Sequence, residues 1–456
     1  MTIEPVLAKI DADLDAAVAR LKHLLEIPSI STDPAHHADC DRAAAWLTEE
    51  IRQIGFEAAT HPTTGRSMVV GKSGSEGTHL LFYGHYDVQP VDPLSLWSSP
   101  PFEPQLEDTP RGKVIRGRGS ADDKGQLMTF VEACRAWKAV HGSLPGRLTL
   151  FFEGEEESGS PSLLPFLKQH KDLLSADIAL ICDTDMFEDT PSIVTQLRGL
   201  LGEEIILRAA ARDLHSGHYG GMAANPARIL AHILAALHDE TGRITVPGFY
   251  DGVPPLDPAL RAQWDGLNFS PERFLGDVGL SLPSGERGKL PLEMIWSEPT
   301  CEINGMSSGY TGDGFKTVLP AQASAKLSFR LVGTQDPLAI RESFRTMVRA
   351  QIPADCEVDF IGHGASPASR MHTSKPAFEI ARQQLTQEWG REAAFIGAGG
   401  SIPVAGMFQT ELGMDSLLIG FGRDDDAIHS PNEKYDLASF HKGIRSWARI
   451  MHALNS

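Results

Sequence analysis

Cysteine is scarce in this chain, and the pattern of its few cysteines argues against a disulfide-stapled fold. Five cysteines occur among 456 residues, at Cys40, Cys134, Cys182, Cys301 and Cys356. Their number is odd, they lie far apart, and none belongs to a Cys-x-x-Cys pair. We therefore expect no disulfide framework.

Long apolar runs and an excess of basic residues are also missing. No run of about 18 apolar residues occurs, and the first residues carry no basic segment followed by an apolar core, so neither a membrane span nor a secretion signal is expected. Lysine and arginine number 41 against 60 aspartates and glutamates, a formal net charge of −19. This balance argues against nucleic acid or an anionic membrane surface as the main partner. A reducing cytoplasm is the expected location.

The pattern of helices and strands predicts an α/β protein that carries an insertion. At 456 residues the chain is long enough for two or more domains. In residues 1–196, buried strands such as 79–83 alternate with amphipathic helices, which favours a sheet with helices on its faces. Residues 197–369 have the pattern of a separate α+β unit. Residues 370–456 return to the first pattern and complete the first domain.

His85 and Asp87 directly follow a run of apolar and aromatic residues that is typical of a buried strand. Side chains two residues apart in a strand lie on the same face, so these two should point together beyond the sheet edge. The pair suits a metal-binding imidazole and a carboxylate that orients it. The alternative is a histidine satisfied at a strand end, followed by an aspartate that caps the next turn.

Acidic residues collect at two further places along the first domain. Asp122 and Asp123 stand at the start of a predicted helix, where N-capping is an ordinary role for aspartate. For Asp123, capping or a surface position is favoured over ligation. Four of the five residues 153–157 are glutamates. They repel one another unless some are exposed, protonated or bound to a cation. A cation is the economical explanation, and a solvated acidic turn is the alternative.

The same arrangement recurs at the ends of two later strands. Asp183 and Asp185 follow one strand, and His429 lies in a polar loop after another. In open α/β sheets, ligand sites lie beyond the ends of the strands. Two imidazoles and several carboxylates are too few for two separate metal cages, but they fit two divalent ions that share a carboxylate.

Six motifs in this chain resemble, in their order, those of the M20 dinuclear metallopeptidases, especially the carnosinase-like dipeptidase branch. They span almost the whole chain and are GHYDVQP at 84–90, GRGSADDKG at 117–125, EGEEESGS at 153–160, DLHSG at 213–217, GGSIP at 399–403 and HSPNEK at 429–434. The resemblance implies a zinc-peptidase-like mixed sheet flanked by helices. It also implies that the inserted α+β domain serves as a lid and in dimerisation.

The resemblance further implies a dinuclear zinc site with two ions in each subunit. Asp122 would bridge the two ions. His85 and Asp185 would complete the protein ligands of one ion, and Glu157 and His429 those of the other. Manganese or cobalt could replace zinc, because imidazole and carboxylate accept all three metals.

Catalytic roles come from the same resemblance. Glu156 would be the general base that acts on a water shared by the two ions. Asp87 would hold His85 through a hydrogen bond. The family also tends to have a cis peptide after the bridging aspartate, which in this chain is the bond between Asp122 and Asp123.

For the inserted domain, the resemblance implies contacts with the substrate and a homodimer. His215 would reach the active site of the partner subunit and stabilise the oxyanion. Arg330 would bind the carboxylate of the substrate. Thr317, His363 and Ser401 match positions that line the substrate pocket.

The choice of substrate depends on two positions. In this family, an aspartate at the position of Asp185 accompanies aminopeptidases and dipeptidases, so we expect cleavage of dipeptides that have a free C-terminal carboxylate. The branch also has a glutamate just before the GGSIP run, where it can meet the free amine of the substrate, but this chain has Ala398. An N-acyl or N-carbamoyl amino acid is therefore the alternative substrate. A non-catalytic metal protein is disfavoured, because Glu156 and Asp87 are not required for ligation alone.

Overall fold

The computed structural model describes residues 1–276, 278–400 and 402–456. The chain divides into two compact units. Unit 1 comprises Met1–Thr195, Met371–Ile396 and Met407–Ser456. Unit 2 comprises Gln196–Arg370 and Gly397–Gly406.

The segment Gly397–Gly406 belongs to unit 2, whereas the sequence analysis placed it in the first domain. Arg198 donates a hydrogen bond from Nε to the carbonyl oxygen of Gly399 at 3.1 Å. Gly397 lies so close to Trp296 that an added Cβ would be 2.5 Å from the Cβ of the tryptophan. Both partners are distant in sequence, so no local pattern could have predicted this return.

The helices of unit 2 begin where sequence signals predict. Asn225, Asp257 and Asp336 each accept a backbone N–H at a helix start, and a proline follows each of them. Among the described residues no helix is long and apolar enough to cross a membrane. The α-helices are, in chain order, α1 (Glu4–Ala12), α2 (Leu14–Leu25), α3 (His37–Ile54), α4 (Lys124–His141), α5 (Leu163–Gln169), α6 (Lys171–Leu174), α7 (Ser216–Tyr219), α8 (Pro226–Ala235), α9 (Pro258–Asp265), α10 (Pro271–Gly276), α11 (Pro291–Trp296), α12 (Pro337–Arg349), α13 (Pro376–Trp389), α14 (Pro403–Leu412) and α15 (Leu437–Ala453).

The strands of unit 1 come from both ends of the chain, and those of unit 2 from its middle. They are, in chain order, β1 (Glu57–His61), β2 (Met68–Ser73), β3 (His79–His85), β4 (Gln105–Thr109), β5 (Gly112–Arg116), β6 (Arg147–Glu153), β7 (Ile178–Ile181), β8 (Ser192–Leu197), β9 (Gly199–Arg208), β10 (Leu214–His215), β11 (Thr300–Ser308), β12 (Val318–Leu319), β13 (Gln322–Leu331), β14 (Glu357–Ser366), β15 (Ser369–Arg370), β16 (Ala394–Ala398), β17 (Ser416–Leu418) and β18 (Lys434–Asp436).

Parallel strands in the middle of the unit 1 sheet bring their carboxyl ends to one edge. The sheet runs in the order β1-β2-β6-β3-β7-β17-β8, and β3 pairs in parallel with both β6 and β7. Nearly every residue of these three strands is buried, so both faces of the sheet are covered. The register places His85 beside Glu153 and Tyr83 beside Ile181. The predicted α/β fold class with a mixed sheet is therefore confirmed.

Aromatic packing fixes the helix that follows the 117–125 motif against the central strand. Phe82 of β3 stacks on Phe130 of α4, with their ring centroids 4.1 Å apart. Trp447 of α15 meets both rings edge-on, at 5.8 Å and 5.5 Å. All three side chains are fully buried. This cluster holds the start of α4 beside the carboxyl end of β3.

Unit 2 contains a four-stranded antiparallel sheet with one buried face. Its order is β11-β13-β9-β14, and residues along β9 alternate between buried and half-buried. The buried face packs on a core that includes Leu230 and Ile233 of α8 and Phe344 of α12. Glu203 also lies on this face, and its carboxylate accepts hydrogen bonds from Nε of Arg341 at 2.9 Å and Nε of Arg345 at 2.8 Å. The buried charge is therefore paired twice.

We expect the buried carboxylate of Asp415, just before β17, to contribute strongly to the stability of unit 1. Its side chain is 3% exposed and accepts hydrogen bonds from His372, Lys375 and Gln409 at 2.8, 2.5 and 2.9 Å. Burial opposes ionisation, but these donors outweigh it and lower the pKa of Asp415 to about 2. We expect Asp415→Asn to reduce the free energy of unfolding at pH 7 by about 2 kcal/mol, measured by urea denaturation.

The pH dependence of this loss has a defined sign. Because the pKa of Asp415 is lower in the folded chain than its unfolded value of about 3.9, the carboxylate stabilises the fold above that pH. The difference between native protein and variant should be constant above about pH 5 and shrink as the pH falls toward 2. Glu379→Gln, at an exposed ion pair with Arg382, serves as the control and should stay within about 0.5 kcal/mol. Equal stabilities of the native and Asp415→Asn proteins at pH 7 would contradict this account.

Candidate metal centre

His85 ends β3 with its imidazole held in one orientation. The ring is buried, and Nδ1 lies 3.1 Å from the main-chain oxygen of Asp87. A carbonyl oxygen only accepts, so Nδ1 carries a hydrogen and Nε2 is the nitrogen left for a metal ion. Nε2 faces Oδ1 of Asp122 at 3.1 Å. Two acceptors at this distance need a proton or a cation between them.

Asp122 is held between two imidazoles. Its Oδ1 faces His85, and its Oδ2 lies 2.9 Å from Nε2 of His429. The peptide bond between Asp122 and Asp123 is cis, as the family resemblance implies. Asp123 stands at the N-cap position of α4 but its side chain makes no capping hydrogen bond, so neither the capping nor the surface position predicted for it is found. Its side chain is buried instead, and Oδ2 accepts the backbone N–H of His85 at 2.9 Å, which ties the two ends of the site together.

Asp183 completes a first group of potential metal ligands with His85 and Asp122. The ligand atoms of these three side chains all lie within 4.8 Å of one another. Asp185, which the sequence analysis chose, is not in this group; it is exposed, and its backbone pairs with Gly422. Strand β7 ends before both aspartates, so strand alternation no longer sets their directions. The geometry favours Asp183 over Asp185.

Glu157 and His429 form a second group with Asp122, again with ligand atoms within 4.8 Å of one another. Nε2 of His429 lies 3.3 Å from Oε2 of Glu157, and Gln89 donates to the same oxygen at 2.8 Å. The backbone of His429 is left-handed, with φ of +58°. Such a conformation is uncommon outside glycine and is often found at functional sites.

The residues present fit a dinuclear cation site. Each group combines an imidazole with carboxylates, which is a donor set that zinc and related divalent ions accept. Asp122 belongs to both groups and can offer one oxygen to each ion. This is the arrangement that the resemblance implies, with Asp183 in the place assigned to Asp185.

The electrostatics of the site also favour cations. Burial raises the pKa of Glu156, and burial together with the charge of Asp123 raises that of Asp183 well above its usual range. Hydrogen bonds to Asp122 and Glu157 raise the pKa of His429 to about 10. The buried acidic groups therefore retain protons on themselves or on the imidazole. Divalent ions would displace these protons when they bind.

Asp87 connects the imidazole of His85 to the turn that carries the glutamates. Its two carboxylate oxygens accept the backbone N–H groups of Glu156 at 3.2 Å and Glu157 at 3.1 Å. Its Oδ1 is 3.4 Å from Nδ1 of His85, farther than the main-chain oxygen of Asp87. The side chain thus orients the turn Glu156–Ser158 at least as much as the imidazole. No hydrogen bond within the described residues engages the Glu156 carboxylate itself, which leaves it free to take up a proton.

Glu433 is a positioning residue that the sequence analysis did not single out. Its fully buried carboxylate accepts the backbone N–H groups of Gly119, Ala121 and Asp122 at 2.9, 2.9 and 3.1 Å. Arg118 donates to it at 2.8 Å. Glu433 therefore links the loop of His429 to the backbone of Asp122. The available signal was its place in the HSPNEK motif, but its acceptor role appears only in three dimensions.

Four of the predicted substrate residues lie in unit 2. His215 ends β10, is exposed, and accepts the backbone N–H of Gly217 on Nδ1 at 3.0 Å, which leaves the hydrogen on Nε2. Thr317 directly precedes β12, which pairs antiparallel with β10, and its carbonyl oxygen accepts a hydrogen bond from the backbone N–H of Ser216. His363 lies on β14, 3.6 Å from Glu204, and Arg330 lies near the end of β13. The fifth predicted residue, Ser401, lies outside the described residues.

Known proteins of similar sequence and structure identify the family of this chain. The family model described as Peptidase family M20/M25/M40 matches residues 81–453. A Cys-Gly metallodipeptidase of Candida albicans is 30% identical over 475 residues, covering 99% of this chain and 97% of that protein. The human Beta-Ala-His dipeptidase is 27% identical, covering 98% and 91%. The crystal structure of an M20 family metallo-carboxypeptidase from Sulfolobus solfataricus has a TM-score of 0.82 at 29% identity, covering 96% of this chain and 99% of that chain. This chain therefore belongs to peptidase family M20/M25/M40, within the carnosinase-like dipeptidase branch that its motifs predict.

Proposed function

We propose that this chain is a dipeptidase that works with two divalent cations per subunit, with zinc as the first choice of metal. The observation that carries the proposal is the position of Asp122, which belongs to two groups of imidazole and carboxylate donors at once. His85, Asp122 and Asp183 would hold one ion. Glu157 and His429, again with Asp122, would hold the other.

The unengaged carboxylate of Glu156 supplies proton transfer. When bound, two such cations lower the pKa of a water and polarise the scissile carbonyl. Glu156 takes the proton from the attacking water and delivers it to the leaving amine. The hydrogen bond from its backbone to Asp87 keeps the turn in place during this exchange.

Residues of unit 2 would bind the rest of the substrate. Arg330 has no ion-pair partner among the described residues, and it suits the C-terminal carboxylate of a dipeptide. His215 presents an N–H on Nε2 and can stabilise an oxyanion. Thr317 and His363 are exposed and can line a substrate pocket. Ser401 is retained as a pocket residue on the strength of the motif alone.

A homodimer formed through unit 2 is part of the proposal. Met222 and Phe315 are 92% and 91% exposed, and Met306 on β11 is 59% exposed. Strand β11 is at an edge of its sheet, with β13 on one side. Exposed apolar residues and an unpaired strand edge are features that a second copy of the chain would cover. A cytoplasmic location remains the expectation for the assembly.

Ala398 supports one alternative function, the hydrolysis of N-acyl or N-carbamoyl amino acids at the same centre. An alanine cannot offer a carboxylate to a free amino group, so a substrate with a blocked amino terminus would bind no more weakly at this position than one with a free amine. Rates on a free dipeptide and on its N-acetylated form separate the two functions. We expect the free dipeptide to be the better substrate. Cys-Gly and β-Ala-His, named for two relatives, are the first dipeptides to test.

Glu156→Gln tests the proposed base. The amide keeps the shape of the side chain but cannot accept the proton, so we expect kcat for dipeptide hydrolysis to fall about 10²- to 10⁴-fold. The content of metal, measured by elemental analysis after dialysis, should stay at that of the native protein. Glu379→Gln, on the surface of α13, is the matched control and should keep native activity. A fully active Glu156→Gln enzyme would contradict the proposal that Glu156 is the general base.

Asp183→Asn and Asp185→Asn test the choice between the two aspartates. We expect the Asp183 variant to lose affinity for one of the two ions by at least about 100-fold, because a charged ligand is removed. The Asp185 variant should bind both ions nearly as the native protein does. Titration calorimetry of the metal-free proteins with zinc reports both affinities directly. The opposite ranking of the two variants would restore the assignment of Asp185.

A further inference from the structure

Two arginines lie close together on the half-exposed face of the unit 2 sheet. Arg330 of β13 pairs directly with Leu200 of β9, so their side chains share a face. Arg198 precedes Leu200 by two residues, and the alternation of buried and half-buried residues continues through it. Arg198 therefore lies on the same face of the sheet as Arg330, at the end where β9 begins and β13 ends.

Neither arginine has an acidic partner in the described chain. Arg198 donates from Nε to the carbonyl oxygen of Gly399, but its buried Nη1 has no hydrogen-bond partner. No described carboxylate lies within ion-pairing distance of Arg198 or Arg330. Glu302 is near enough for its charge to raise the pKa of Arg198, but the two residues form no ion pair.

The charges on this face are costly without a ligand. Burial and the nearby charge of Arg330 lower the pKa of Arg198 to about 10. By contrast, the buried charge of Glu203, on the opposite face of the same strand, is neutralised by ion pairs with Arg341 and Arg345. A buried guanidinium nitrogen without a partner is uncommon and indicates a missing acceptor.

The chain segment next to Arg198 offers the guanidinium the carbonyl oxygen of Gly399, but residues 398–400 supply no side-chain acceptor. Residues 398–400 are alanine, glycine and glycine, so no side chain there can reach the guanidinium. A Cβ added to Gly399 would lie 3.1 Å from Nη2 of Arg198. The glycine therefore keeps one side of the guanidinium uncovered.

We propose that Arg198 is a second anion-binding residue of the substrate site, so that the preferred substrates carry two carboxylates. Arg330 takes the C-terminal carboxylate, and Arg198 takes a second one, borne by an acidic side chain or by a dicarboxylic acyl group. Planar guanidinium groups bind carboxylates through paired hydrogen bonds, which suits both positions. The inference rests on the proposed function and narrows its substrate class.

Isosteric substrates test this preference. Asp-Ala is compared with Asn-Ala, and Ala-Asp with Ala-Asn, while N-succinyl-alanine against N-acetyl-alanine probes an acyl source of the second carboxylate. For one of these pairs we expect the native enzyme to favour the acidic member by about 10- to 100-fold in kcat/KM. Arg198→Met should abolish most of this ratio, chiefly through KM, and Arg198→Lys should keep part of it.

The control is an arginine of the same strand with a partner of its own. Arg208 forms an ion pair with Asp359 at the far end of β9, and Arg208→Met should leave the ratio unchanged. An equal loss by Arg198→Met on acidic and neutral substrates would show that Arg198 only anchors Gly399. The absence of any preference in the native enzyme would overturn the proposal as well.

Binding to an inactive protein separates this inference from the proposed function. Calorimetry with Glu156→Gln compares the affinities for the members of each substrate pair, before and after the additional change Arg198→Met. A preference for the acidic member that depends on Arg198 supports the inference even if no peptide is hydrolysed. In that case the proposed dipeptidase function would be contradicted, while the role of Arg198 in binding would stand. Equal affinities within every pair would overturn the inference while leaving dipeptide hydrolysis intact.

Discussion

The crowding of negative charge at the carboxyl edge of the parallel strands is the constraint on which the rest of unit 1 depends. Asp122 faces His85 with one oxygen and His429 with the other, while Asp183, Glu156 and Glu157 approach from neighbouring segments. Burial raises the pKa of Asp183 and that of Glu156, so without cations these two groups keep protons that they would otherwise lose. The fold therefore brings carboxyl groups together where two divalent ions would stabilise them. Relief of the repulsion between these carboxylates would add to the free energy of metal binding.

Hydrogen bonds from buried carboxylates hold the loops around this charge. Glu433 accepts three backbone N–H groups near Asp122, and Asp87 accepts those of Glu156 and Glu157. Both carboxylates are fully buried. Charge-assisted hydrogen bonds of this kind are stronger than neutral ones. The ligands are thus positioned by acceptors that do not themselves belong to either group of metal ligands.

Unit 2 uses charge in two different ways on the two faces of one sheet. On the buried face Glu203 is neutralised by two arginines from α12, which makes it part of the core. On the other face, Nη1 of Arg198 has no hydrogen-bond partner, and neither Arg198 nor Arg330 forms an ion pair within the described residues. The alternation of β9 and β13 places Glu203 and these two arginines on opposite faces, while Arg208, at the far end of the second face, is paired with Asp359.

The central strands of unit 1, the fold class and most residues of the candidate site could be predicted from the sequence alone. Local order carries that information: apolar runs mark buried strands, and His85, Asp122, Glu157 and His429 stand in motifs whose spacing is visible in the chain. Parallel strands bring the ends of β3, β6 and β7 together for topological reasons, whereas Asp122 reaches the same edge at the start of α4, which packs against β3.

Because both Asp183 and Asp185 follow the end of β7, only the tertiary structure sets Asp183 apart as a candidate ligand, beside His85 and Asp122. It also decided the role of Asp123, the acceptor function of Glu433 and the return of Gly397–Gly406 to unit 2. Each of these depends on a contact between segments distant in sequence. Residue type and spacing determine which chemistry this protein can perform, and long-range packing determines which individual side chains are in place to perform it.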